Sequence, residues 1–242
     1  MKFTIKAFLA SAILGAGFFF TSCNNAEPDI AEKDSYIAKT VSVGEQVALG
    51  ETSYQCSNNF VGEVVDNLTL STGKYGFRAL HVGTCTVKNS NREYRFTVTS
   101  SNNTIEPVLD WDITAEELVE TLGESSCKVE GNTVTFSTGA QKPVNNYVYT
   151  FADGKLNNIA LTYIYDSNNP LEVIEGYFAD RFNKTEKVEN DVTITVYYNA
   201  ESLDKATTVA TSVAEELEGS IAGTKDTALN INFYSAAAYA AL

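Results

Sequence analysis

The first apolar segment of the chain runs from Ala7 to Phe20 and carries no charge. Lys2 and Lys6 precede it, and the small residues Thr21 and Ser22 follow it. A membrane-spanning helix needs about 20 apolar residues, and this segment is shorter. A basic start, a short apolar stretch and a small-residue end predict a cleavable export signal.

Between residues 36 and 100 the apolar positions alternate with polar ones in short runs that are separated by turn residues. Three of these runs are Val41/Val43, Val47/Leu49 and Tyr94/Phe96/Val98. Alternation with a period of two predicts half-buried β-strands, so we expect an all-β segment here. Residues 101–104 are small and polar, interrupt the apolar pattern, and predict a linker.

From residue 105 to residue 242 the pattern mixes helix and strand signals. Thr114 and Glu117 have the spacing of a capping box, and Gly123 would end the short helix that follows. Turn residues around Gly131 and the pair Asp153-Gly154 separate alternating apolar runs. Asp-Gly supplies the positive φ angles of a tight hairpin, so antiparallel strands are expected next.

A second helix is expected after Asn169-Pro170, because proline suits the first helical turn and an apolar stripe follows. The stripe consists of Leu171, Ile174, Phe178 and Phe182. Residues 202–219 are ambiguous: apolar residues every four positions favour a helix, whereas Thr and Val favour a strand. We expect a helix there. The predicted fold class is mixed: an all-β sandwich, then an α+β domain with helices on an antiparallel sheet.

Composition narrows the function classes. The 31 acidic residues exceed the 17 basic ones, for a net charge of −14, which argues against nucleic-acid binding. His81 is the only histidine, so any histidine-dependent nucleophile would have to use it, although a surface strand position is the simpler interpretation. The sequence contains no phosphate-binding loop, no usual zinc ligand set and no calcium loop, so no metal and no cofactor are expected.

Phe20-Thr21-Ser22-Cys23 resembles the lipobox of bacterial lipoproteins, although leucine is usual where Phe20 stands. The resemblance implies cleavage after residue 22, fatty acylation of Cys23, for example with palmitate, and a flexible tether over residues 23–35. An ordinary secretory signal is the alternative. Together with the Asn-, Thr- and Tyr-rich body, this resembles envelope lipoproteins of Bacteroidetes. It implies a lipid anchor, most readily in the outer membrane, with its periplasmic or surface orientation open.

The segment 36–100 resembles the group 2 bacterial Ig-like domain. The residues that carry this resemblance are Val41-Ser42-Val43-Gly44-Glu45, Ser57-Asn58, Val82-Gly83-Thr84-Cys85-Thr86-Val87 and Tyr94-Arg95-Phe96-Thr97-Val98. The family has no catalytic residues, and it places the strands of Cys56 and Cys85 side by side. The resemblance therefore implies a disulfide between these two cysteines, with Cys127 left as a small buried apolar residue.

Tyrosines interleave with amide side chains in three runs of the downstream segment. The tyrosines are Tyr147, Tyr149, Tyr163, Tyr165, Tyr197 and Tyr198. Exposed tyrosine beside asparagine suits glycan or protein recognition, whereas the alternative is that these rings fill the core. Asp226-Thr227-Ala228 resembles the O-glycosylation acceptor of Bacteroidetes, which implies a modification at Thr227.

The function expected from these features is a non-enzymatic, lipid-anchored envelope protein that binds a glycan or a protein. A carboxylate-based hydrolase that uses Asp110 or Asp112 is one alternative, because these residues flank the sole tryptophan, Trp111. Asp112 has a simpler explanation, since a carboxylate is stabilised next to a helix N-terminus. A structural or assembly lipoprotein is the other alternative.

Overall fold

The computed structural model describes residues 36–66, 74–139, 143–166, 168–218 and 225–242. The predicted signal, the tether and Cys23 lie outside these ranges. Three β-sheets account for most of the described chain, and their strand pairs are antiparallel except for one. The prediction of a β-rich chain with antiparallel sheets is confirmed.

The upstream part of the described chain contains seven strands in two sheets. Strands β1 to β7 are Tyr36–Ser42, Gln46–Gly50, Gln55–Cys56, Gly62–Asp66, Tyr75–Ala79, Gly83–Lys88 and Glu93–Thr99. One sheet has the order β1-β7-β6-β3 and the other has the order β2-β5-β4. Strand β1 runs parallel to β7 and is paired with it along its whole length, from Tyr36 with Glu93 to Ser42 with Thr99.

Side chains from both upstream sheets share one hydrophobic cluster. Phe77 of β5 stacks on Phe96 of β7, with ring centroids 4.0 Å apart. Gly62 makes room for this packing, because a Cβ atom at that position would lie 2.3 Å from the Phe77 ring. The alternation in β7 buries Tyr94, Phe96 and Val98, as the sequence pattern predicts.

The downstream part of the described chain contains three helices and eight further strands. Helices α1 to α3 are Ala115–Leu122, Leu171–Ala179 and Ala236–Ala240, and two 3-10 turns cover Glu124–Ser126 and Leu203–Lys205. Strands β8 to β15 are Cys127–Glu130, Thr133–Ser137, Asn146–Ala152, Lys155–Tyr165, Asn183–Glu189, Val192–Tyr198, Thr208–Glu218 and Lys225–Ser235. They form one sheet of order β12-β13-β14-β15-β11-β10-β9-β8.

Local signals placed α1, α2 and one hairpin correctly. Thr114 caps α1 through the full capping box with Glu117. Helix α2 follows Pro170, and its inward side chains join the core. Asp153 and Gly154 have φ angles of 51° and 79°, both positive as a type I′ turn requires. These three predictions are confirmed.

The prediction of a helix over residues 202–219 is wrong. Residues Thr208–Glu218 form strand β14, which is hydrogen-bonded to β13 on one side and to β15 on the other. Its threonine, valine and serine side chains favour a strand, and pairing on both edges satisfies backbone groups that an isolated segment could satisfy only as a helix. Tertiary pairing therefore outweighs the four-residue apolar spacing.

The eight-stranded sheet consists of two copies of one unit, a helix followed by a four-strand meander. Helix α1 precedes β8–β11, and helix α2 precedes β12–β15. The first hairpin of each unit also repeats in sequence, with Lys128-Val129-Glu130 in one and Lys187-Val188-Glu189 in the other, each followed by a two-residue turn. The lysine and the glutamate form an ion pair in both copies, at 2.7 Å and 2.9 Å.

A pseudo-twofold axis relates the two units at the centre of the sheet. Strands β11 and β15 each have 11 residues and begin with lysine. When they are aligned from those lysines, Leu161 corresponds to Ile231, and these two residues are also direct cross-strand partners. The pairs on either side follow the same symmetry, because Ile159 corresponds to Leu229 and Tyr163 corresponds to Phe233 in this alignment. The registers are Ile159 with Phe233, Leu161 with Ile231 and Tyr163 with Leu229.

The segment after β7 lies against α2 and the residues that follow it. The hydroxyl of Ser100 donates to the Asp180 carboxylate at 2.5 Å, and the side-chain amide of Asn102 donates to the Val173 carbonyl at 2.9 Å. Arg181 donates to Oδ1 of Asn103 at 2.8 Å. The buried side chains upstream and downstream of this segment form separate hydrophobic clusters, so residues 101–104 stay a predicted boundary between two cores.

Candidate functional site

The candidate site is the face of the eight-stranded sheet that lies opposite α1 and α2, which we call the open face. Leu118 of α1 and Phe178 of α2 pack into the cluster on the other face. Because neighbouring strand residues point to opposite sides, the open face consists of every second residue. A row across its centre contains Thr135, Val148, Ala160, Asn232, Thr211 and Val196. Of the three described helices, α3 packs on this face, at its β13–β14 end, through Tyr239.

A depression of about 420 Å³ lies at the centre of the open face, over the pseudo-twofold axis. Thr162 and Asn230 are cross-strand partners there, and the Thr162 hydroxyl donates to Oδ1 of Asn230 at 2.9 Å. Asn230 in turn donates to the Glu215 carboxylate. Ala160 is paired with Asn232 in the adjacent row. The strands thus bring amide and hydroxyl groups from distant parts of the chain into one patch.

Four of the six tyrosines named from sequence are buried on the core face, so for them the core interpretation holds. They are Tyr147, Tyr149, Tyr163 and Tyr197. Burial raises the pKa of Tyr149 to about 12 and also raises the pKa of Tyr147. Their hydroxyls accept hydrogen bonds from the backbone N–H groups of Val108 and Glu106, at 3.3 Å and 3.1 Å, which fastens the chain before α1 to the sheet.

The other two named tyrosines are half-buried. Tyr165 packs against the core cluster, and Tyr198 lies on the open face beside Val196 and Val209. The depression is lined instead by four asparagines and Thr162 together with apolar residues. Two of these asparagines, Asn145 and Asn146, belong to the first of the tyrosine runs predicted from sequence, whereas Asn230 and Asn232 were not predicted. The alternation Asn230-Ile231-Asn232-Phe233 carries the missed signal, since it separates amides from apolar residues by face.

The cysteine pair lies in the upstream sheet that contains β3 and β6. Cys56 is paired with Val87, so Cys85 is its diagonal neighbour on β6. Both are free thiols here, and the Cys85 thiol hydrogen-bonds Cys56. This hydrogen bond lowers the pKa of Cys56 to about 7, and the same contact together with burial raises the pKa of Cys85. The structure brings the two thiols together, and the disulfide stays a prediction.

Two other residues named from sequence lie in the large sheet. Cys127 begins β8, is half-buried, and packs against the core cluster, and burial raises its pKa. Thr227 lies near the start of β15, paired with Glu216 of β14 and Tyr165 of β11. Its side chain is half-buried. Glycosylation at Thr227 stays a prediction.

The residues that the sequence analysis considered for catalysis, His81, Asp110 and Asp112, each contact neighbouring groups of the fold. His81 stacks on Phe60 with ring centroids 4.2 Å apart, and its Nδ1 lies 2.7 Å from the Phe60 carbonyl oxygen. Asp112 is exposed and forms an ion pair with Lys155, which holds the pKa of that carboxyl below its usual value. A general acid needs a raised pKa, so this environment does not suit Asp112 to that role. Asp110 accepts the Asp112 backbone N–H at 3.1 Å.

Within the described ranges, no three His, Cys, Asp or Glu residues are grouped so that they could hold a metal ion. No helix in the same ranges has the length and apolar character needed to cross a bilayer.

A groove of about 690 Å³ separates the upstream sheets from α2 and the chain before α1. Arg181 lies in it, stacked over the Tyr177 ring at 4.3 Å from the ring centroid. Its guanidinium also donates to the Tyr177 carbonyl and to Asn103. These contacts hold the guanidinium against the end of α2.

Comparison of the chain with known protein families, with curated proteins and with solved structures found no match.

Proposed function

We propose that this protein is a lipid-anchored, non-enzymatic binding module of a bacterial envelope, and that it binds a glycan or a protein on the open face. The observation that carries the proposal is the placement of α1 and α2 on one side of an eight-stranded sheet, which leaves polar side chains of the other side accessible around a depression. A broad polar surface on a rigid sheet suits recognition.

We also propose that residues 36–100 form an Ig-like sandwich and that residues 105–242 form an α+β domain. Seven strands divided between two sheets support the first assignment, because β3, β6 and β7 lie in one sheet and β2, β4 and β5 in the other, as in immunoglobulin-type connectivity. Helices on one face of an antiparallel sheet support the second. The upstream sandwich would act as a spacer or an adhesion module.

The anchor is tested at Cys23. Metabolic labelling with an alkyne fatty acid should mark the wild-type protein and should fail to mark Cys23→Ala. The wild-type protein should also partition into the membrane fraction, because two or three acyl chains together anchor a protein almost permanently. Equal labelling of both forms, or a mature protein that begins at another residue, would contradict the lipoprotein assignment.

The binding face is tested with two threonines that lie on opposite faces of the sheet. Thr162 is exposed at the depression, and Thr193 is exposed on the other face of β13. Detergent-purified full-length protein should bind members of a glycan array or purified envelope proteins. Thr162→Arg should abolish that binding, and Thr193→Arg should keep it. Loss in both variants or in neither would place binding elsewhere, and cleavage of an array glycan would favour the hydrolase.

The domain boundary is tested by limited proteolysis. Residues 101–104 join two separate clusters of buried side chains, and exposed linkers are preferred cleavage sites. We expect one fragment that ends near Ser100 and one that begins near Ile105, each with a cooperative melting transition. Since Ser100 bonds to Asp180, Ser100→Ala should speed the cleavage. One inseparable transition without cleavage in this window would mean that the two parts share one folding unit.

A further inference from the structure

The central depression of the open face contains hydrogen-bonding groups that the described residues do not use. Oδ1 of Asn146 accepts the Ser137 hydroxyl at 2.8 Å, but its Nδ2 donates to no described residue. The side-chain amide of half-buried Asn232 has no partner among the described residues. Both amides thus have two N–H donors without a described partner, and Asn232 has an unused carbonyl acceptor as well; these groups need water or a ligand.

Neighbouring groups fix the orientation of the remaining amide. Asn230 accepts from Thr162 and donates to Glu215, so its side chain is held between two strands. Ala160 and Val148 lie beside these amides and supply small apolar surface at the floor of the depression. Oriented amides around a small apolar floor can bind a ring that carries hydroxyls on its edge and C–H groups on its face.

The absence of ionisable residues from the lining of the depression favours an uncharged ligand over an anionic one. The chain carries a net charge of −14, yet none of the residues that line the depression is ionisable. The carboxylate of Glu215 is engaged by Asn230, and the lysine and glutamate of each edge hairpin pair with each other. An anionic ligand would meet no cation among the lining residues and would be repelled by the net negative charge of the chain.

We propose that this depression binds a neutral oligosaccharide, held by the amides of Asn146, Asn230 and Asn232. This inference rests on the proposed binding function and names its ligand class. The volume of about 420 Å³ lies within the range of roughly 300–1,000 Å³ that is usual for small-ligand sites. The pseudo-twofold axis places related positions on both sides of the site, because Ala160 corresponds to Asn230 and Thr162 to Asn232.

The test uses detergent-purified full-length protein, and isothermal titration calorimetry with two panels of tetra- to hexasaccharides. One panel contains neutral glucose, mannose and galactose oligomers, and the other contains uronic-acid oligomers. Asn232→Asp keeps the side-chain shape, removes two donors and adds a negative charge. Asn190→Asp makes the same chemical change at the edge hairpin turn, where the residue has a φ of 51° that aspartate tolerates.

At least one neutral oligomer should bind, with affinity at least tenfold weaker in Asn232→Asp and within twofold of wild type in Asn190→Asp. Asn146→Asp should give the same loss as Asn232→Asp, and unchanged thermal melting of both variants would show that they are folded. Tighter binding of the uronic-acid panel, or neutral binding that survives both variants, would overturn this inference. Binding of a purified envelope protein that Thr162→Arg abolishes, with no oligosaccharide bound, would overturn it and leave the proposed binding face standing.

Discussion

Replacement of Ile231 tests the assignment of the two faces of the large sheet. Ile231 is fully buried on the core face, whereas its neighbour Asn232 lies half-buried on the open face. Deleting a buried isoleucine side chain to alanine costs about 2–5 kcal/mol through lost transfer energy and the cavity left behind. We therefore expect Ile231→Ala to lower the free energy of unfolding by about 3 kcal/mol. Asn232→Ala should change it by less than about 0.5 kcal/mol.

The measurement is urea unfolding followed by the fluorescence of Trp111, the only tryptophan in the chain. Trp111 packs against the core cluster and donates its indole N–H to the Thr208 hydroxyl at 2.9 Å, so it reports on the large sheet. Thermal unfolding gives a second readout. For a domain of about 150 residues or more, a loss of 3 kcal/mol lowers Tm by about 6–12 °C. Because a register slip of one residue would exchange the faces, a larger loss for Asn232→Ala than for Ile231→Ala would refute the assignment.

Four further predictions concern tyrosine hydroxyls and cysteine thiols. The Tyr163 hydroxyl is buried without a hydrogen-bond partner among the described residues, so Tyr163→Phe should leave stability unchanged or raise it by up to about 1 kcal/mol. Tyr149→Phe should cost about 1–3 kcal/mol in the same urea experiment, because it leaves the Val108 N–H unpaired. If Tyr163→Phe costs as much as Tyr149→Phe, its hydroxyl has a partner. Non-reducing peptide mapping of exported protein should find Cys56 linked to Cys85, and recovery of both as free thiols would count against the bond. In reduced protein, stability should rise between about pH 7 and pH 9, because Cys56, with a pKa of about 7, is ionised in the folded state while the unfolded chain still binds that proton. A flat profile in this window would show that the contact with Cys85 does not favour the thiolate.

Features that depend on a few neighbouring residues could be predicted from sequence. The capping box of α1 joins residues three positions apart, and the turn at Asp153-Gly154 depends on the φ angles of two adjacent residues. Strand alternation in β7 likewise needs only the period of one short run. In each case the determining contact lies within the segment itself, so the sequence signal was sufficient.

Features that depend on distant partners needed the tertiary structure. Residues Thr208–Glu218 carry both a helical spacing and β-branched residues, and pairing with β13 and β15 decided for a strand. The period of two in β10 separates Tyr147 and Tyr149 from Asn146 and Val148, but it does not say which set faces the helices. The tyrosines are the buried set because α1, α2 and the chain before α1 pack against their side of the sheet. The amide patch at the centre exists because β11 and β15, 70 residues apart, meet in antiparallel register.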